Sequence, residues 1–80
     1  MSNQNKDTNY YTDVDLTVIN DETLSFSAKG LYALILCCIA NGETPVTKKV
    51  LKKYSKEGDT ALKTALNELV KAGYLKQEVR

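Results

Sequence analysis

The chain has 80 residues, of which 42% are hydrophobic and 26% charged, and its formal net charge is +1 at pH 7. That is room for one small domain with a modest core, and no apolar run approaches the ~20 residues of a membrane span. With no histidine and two adjacent cysteines, Cys37 and Cys38, a structural zinc site is not expected.

A bridge between neighbouring cysteines is strained and closes no useful loop. Both thiols therefore read as small apolar residues of a buried helix in a reduced, cytoplasmic protein. Charge is unevenly spread along the chain. Residues 1–27 carry Lys6 against five acids, net −4, whereas residues 28–80 carry nine lysines and Arg80 against five acids, net +5. A basic body with an acidic arm points to an anionic partner for the body.

The opening MSNQNKDTNYY lacks a basic region followed by an apolar one, so no secretory signal is expected. Residues 1–9 read as a disordered polar arm and 10–80 as the folded domain. Val14, Leu16 and Val18 alternate with Asp13, Asp15 and Thr17, which predicts a half-buried strand. Asn20-Asp21-Glu22 is a turn. Ser25 is then a good N-cap, with Ser27 as the alternative, for a helix from Phe26 to about Ala40. Its core face is Ala28, Leu31, Leu34, Ile35, Cys38 and Ile39, and Asn41-Gly42 stops it. Pro45 forces Thr44 into extended backbone.

Thr47 caps a second helix, from Lys48 to about Tyr54, with Val50, Leu51 and Tyr54 inward and Lys48, Lys49, Lys52 and Lys53 outward. Lysines in a first turn oppose the helix macrodipole by about 0.3–1 kcal/mol each, which favours a phosphate partner over a merely solvated face. After Gly58, with Asp59 at or near the cap, a third helix runs for roughly a dozen residues, about 18 Å, to a glycine stop at Gly73. Ala61, Leu62, Ala65, Leu66, Leu69 and Val70 recur at three- and four-residue spacing and form one buried stripe. Thr60, Lys63, Thr64, Asn67 and Lys71 fall opposite it. This polar face holds two lysines, no acid and an amide able to pair with a base edge, the composition of a recognition helix. Tyr74 to Val79 reads as a strand whose exposed edge needs a partner, supplied by the N-terminal strand or by a second copy.

Two stretches, LSFSAKGLYALIL and KKYSKEGDTALKTALNELVKAGYLK, carry a family resemblance over about residues 18–78. The matching residues are Leu24, Ser25, Ala28, Lys29, Gly30, Leu31 and Tyr32 in the first. In the second they are Lys56, Glu57, Gly58, the Ala61/Ala65/Leu66 spacing, Glu68-Leu69 and Ala72-Gly73-Tyr74-Leu75. The chain resembles the winged helix-turn-helix domains of phage and plasmid replication proteins and regulators of low-GC Gram-positive bacteria, the DnaD-like and RepA-like initiators. The resemblance implies a mainly α fold with a small β component, a three-helix helix-turn-helix core and a short or incomplete wing. It implies base readout by Thr60, Lys63, Thr64 and Asn67 and phosphate contacts by Lys49, Lys53 and Lys56. The chain departs from that family in lacking a returning wing strand and the large C-terminal domain of full initiators, so a domain of a longer protein or a stand-alone reader is expected.

The expected function is non-catalytic binding of double-stranded DNA, with no cofactor and no metal, in phage or plasmid replication or transcription regulation. A homodimer on a palindromic site fits this class. The alternative is a protein-interaction module that binds a host or defence complex, favoured by the acidic arm and the near-zero net charge. An enzyme is not expected: there is no histidine, no phosphate loop and no acid–base pair, and Ser25 and Ser27 read as caps rather than nucleophiles.

Overall fold

A computed structural model describes residues 8–78. Its elements in chain order are β1 (Asn9–Tyr11), a 3-10 helix (Leu16–Asn20), α1 (Phe26–Ala40), α2 (Lys48–Lys52), α3 (Asp59–Lys71) and β2 (Lys76–Glu78). The fold is thus mainly helical with one small sheet of two antiparallel strands. Among the described residues no helix is long and apolar enough to cross a membrane.

Local chemistry sets the helix ends. Ser25 Oγ accepts the Ala28 N–H at 3.1 Å and starts α1, and Thr47 Oγ1 accepts the Val50 N–H at 3.3 Å and starts α2. Each satisfies one of the donors a helix start leaves open. Gly42 and Gly73 both take positive φ just beyond α1 and α3, a conformation glycine adopts without a Cβ clash. α2 is shorter than the predicted span to Tyr54, because the backbone tightens at its end: Lys53 and Tyr54 donate to the carbonyls of Val50 and Leu51.

The core lies between α1 and α3 and is closed by Leu51 of α2, Val18 of the 3-10 helix, and Tyr10, Val46 and Leu75 near the sheet. Leu62, Ala65, Leu66 and Leu69 of the α3 stripe are buried, and Val70 is half-buried. Ala61 is exposed, contrary to the predicted stripe, because it lies on the flank of α3 towards the start of α1, where the two helices leave a groove. In α1, Ala28, Leu31, Ile35 and Cys38 are buried as predicted, while Leu34 is half-buried and Ile39 and Cys37 are exposed. Neighbouring residues lie about 100° apart around a helix, so the two thiols cannot share one buried face. Tyr54, predicted inward, is exposed and turns its hydroxyl to Glu43.

The strand predicted over residues 13–18 is absent. Asp15 accepts the Thr17 N–H at 3.0 Å and the Thr17 hydroxyl at 2.6 Å, and this local bonding starts the 3-10 helix instead of a ladder. Only Val18 of the alternating trio is buried, and Val14 sits at φ 63°. The strand beside β2 comes from earlier in the chain. Asn9, Tyr10 and Tyr11 pair with Glu78, Gln77 and Lys76. On its other side Tyr10 donates its N–H to the Val46 carbonyl at 2.8 Å, while Asn9 Oδ1 accepts the Val46 N–H at 3.0 Å. Thr8 is buried and Asn9 opens β1, so the folded part reaches back beyond Tyr10. The rest of the expected polar arm, residues 1–7, lies outside the described residues, as does Val79, the last residue of the predicted strand.

Tyr32, which the predicted core face left out, anchors this first third of the chain. Its buried ring meets Tyr74 edge-on at 6.2 Å. Its hydroxyl lies 2.6 Å from Thr12 Oγ1 and accepts the Asp15 N–H at 2.7 Å. Tyr32→Phe leaves that N–H without its protein partner and takes one of two bonds from the Thr12 hydroxyl, which still accepts the Val14 N–H at 3.1 Å. The expected loss is about 1–2 kcal/mol of unfolding free energy in urea melts, from the price of unpaired polar groups near the interior.

Candidate nucleic-acid interface

Thr60, Lys63, Thr64, Asn67 and Lys71 are all exposed on α3, opposite Leu62, Leu66 and Leu69. The amphipathic pattern therefore orients the helix: burying the leucines turns the two lysines, the amide and the two threonine hydroxyls outward together. Lys63 and Lys71 have no carboxylate partner among the described residues. Lys56, in the turn before α3, and Lys49 are likewise exposed without one. Glu68, on the flank of α3, is turned away into a structural role. Its two carboxylate oxygens accept the Ser25 N–H at 3.0 Å and the Ser25 hydroxyl at 2.8 Å. Those bonds from the Ser25 backbone and side chain hold its pKa below the usual carboxylate range.

The lysines of α2 divide between two neighbours. Lys53 pairs with Glu43 at 3.1 Å and lies over the Tyr54 ring at 5.6 Å. The Tyr54 hydroxyl also donates to Glu43, and these two bonds depress the Glu43 pKa, the tyrosine contributing most. Lys49 lies one turn before Lys53, hence on the same side of α2. Lys48 and Lys52 lie about 100° round the helix from them, at the head of α3. Asp59 Oδ1 is 3.3 Å from Lys48 Nζ and 3.5 Å from Lys52 Nζ. The hydrogen bond from Lys48 is the main cause of a lowered Asp59 pKa. Of the predicted phosphate contacts, Lys49 and Lys56 are exposed without an ion pair, whereas Lys53 is engaged with Glu43. The lysines nearest the start of α3 include Lys48 and Lys52, which the sequence places on the outward face of the second helix but which are not among the predicted phosphate contacts. Their four-residue spacing was visible, but not which side of so short a helix would meet Asp59.

A second feature lies beside this face. Phe26, Gly30, Leu34, Tyr54, Ala61 and Ala65 line most of an open groove of about 500 Å³ between the start of α1 and the start of α3. Phe26 is 90% exposed on its wall. Among the described residues no group of three His, Cys, Asp or Glu side chains could hold a metal ion. Comparison of the chain with protein-family models, curated proteins and solved structures gives no match.

Proposed function

We propose that this chain is a cytoplasmic, non-catalytic double-stranded DNA-binding domain of the winged helix-turn-helix type. In this reading α2 and α3 form the helix-turn-helix, α3 enters the major groove, and the β1–β2 pair is a reduced wing. The observation that carries it is the outer face of α3, where Thr60, Lys63, Thr64, Asn67 and Lys71 are exposed together and no acid offsets the two lysines. Hydroxyls and an amide suit base edges, and lysines suit phosphates. The test is a titration of fluorescent random-sequence duplex at 50 and 200 mM salt. With at least Lys49, Lys56, Lys63 and Lys71 as phosphate contacts, the log–log salt slope is expected at about −3.6 or steeper, so affinity drops roughly 100-fold or more between the two conditions. No binding at 50 mM would remove DNA from the account.

A protein-interaction module is the second reading, and Phe26 favours it. A phenylalanine ring left 90% exposed beside an apolar groove loses the transfer free energy that burial on a partner would recover.

A further inference from the structure

Asp59 opens α3, yet it is not bonded as a cap. The N-cap residue is Gly58, and no side chain accepts from the first turn. The Asp59 carboxylate instead lies between two ammonium groups, with Lys48 Nζ and Lys52 Nζ at 3.3 and 3.5 Å from the same oxygen. The three side chains differ in freedom. That of Lys48 is 13% exposed, so its ammonium is held at the head of α3, whereas those of Lys52 and Asp59 are each 55% exposed and open to solvent. Thr60 follows Asp59 directly, and Lys63 lies one turn further along the same helix. The cluster therefore borders the face assigned above to DNA. Two cations sharing one small oxyanion, one held and one free to adjust, is also the arrangement that a backbone phosphate would meet there.

We propose that Lys48 and Lys52 form a phosphodiester-binding site for duplex DNA and that Asp59 is its internal counter-ion, occupying the site until a DNA phosphate displaces it. This rests on the DNA-binding reading above. In the free protein the carboxylate neutralises part of the charge that would otherwise add to the affinity. Exchange is feasible because Asp59 and Lys52 are solvent-exposed, where an ion pair contributes little net stability. A phosphate brings the same oxyanion chemistry together with the release of condensed counterions from the DNA.

The experiment measures random-sequence duplex affinity across 50–200 mM salt for the unaltered chain and for Asp59→Asn, Lys48→Ala/Lys52→Ala and the triple variant. Glu22→Gln serves as an equal change of charge at an exposed position away from the cluster. Asp59→Asn is expected to bind roughly tenfold more tightly at low salt, because no carboxylate competes with the phosphate, with a slope close to that of the unaltered chain. In the Lys48→Ala/Lys52→Ala background the same change should gain no more than Glu22→Gln does. Lys52→Gln alone provides a second reading that leaves Asp59 in place. It should flatten the slopes of the unaltered chain and of Asp59→Asn alike by about 0.9, since the Lys52–phosphate contact forms in both. Circular dichroism and Tm, recorded for every variant, exclude unfolding as the cause of a change.

If the unaltered chain binds DNA and Asp59→Asn gains no more than Glu22→Gln, the counter-ion role is overturned and the DNA reading stands. An equal gain with and without the two lysines overturns it as well. A chain that fails to bind duplex at 50 mM loses both the DNA reading and this site.

Discussion

Leu69→Ala is expected to lower the unfolding free energy by about 2–5 kcal/mol, the range for emptying a fully enclosed leucine site. Leu69 has no exposed surface and lies at the centre of the α3 stripe, in the core that α3 forms with α1. A chain of this length has a total stability of roughly 4–12 kcal/mol, so the variant stands at the edge of folding at physiological temperature. Urea melts followed by far-ultraviolet circular dichroism measure the loss as a fall in midpoint at unchanged m-value. Ala61→Ser is the matched control. Sequence periodicity puts Ala61 in the same stripe, but the structure leaves it exposed, so its substitution should stay within about 0.5 kcal/mol. A large loss at Ala61, or a loss below 1 kcal/mol at Leu69, would contradict the orientation given for α3.

The second large effect concerns binding. Lys63→Ala/Asn67→Ala is expected to weaken random-sequence duplex binding about tenfold at 100 mM salt, through one lost phosphate contact, and to flatten the slope by about 0.9. On a selected site with adenine opposite Asn67, the loss grows by about 1–3 kcal/mol, the worth of a bidentate amide–base pair. Both side chains are exposed and unpaired on α3, and alanine is the better helix former at either position, so Tm should barely move. Unaltered DNA affinity in a well-folded double variant would take α3 out of the interface. Binding would then have to be sought on another face or with another kind of partner, and the groove beside Phe26 would be the first place to look.

The two long helices were legible because their signals are local and agree with one another. Ser25 before Phe26, Asn41-Gly42 after Ala40 and Gly73 after the last turn of α3 mark the ends. The three- and four-residue spacing of the leucines marks the buried side of α3. The outward face follows with no further information, since burying Leu62, Leu66 and Leu69 leaves Thr60, Thr64 and Asn67 no other direction. The stretch from Asp13 to Val18 misled because alternation has two readings. It is a strand when a neighbour supplies a ladder, but here Asp15 bonds to Thr17 first.

The amino-acid order by itself determined α1, α3, the Ser25 cap, the glycine stops and the polar composition of the α3 face, because helix periodicity and capping act within a few residues. Only the tertiary structure decided which strand covers β2, what Tyr32 holds, and how the lysines of α2 are shared. β1 and β2 lie at opposite ends of the chain, and they are brought side by side by the packing of α1 against α3. The same packing turns Lys48 and Lys52 towards Asp59 and Lys53 towards Glu43. Charge partners are fixed by distances of a few ångströms across separate elements, and residue spacing along one helix does not contain those distances.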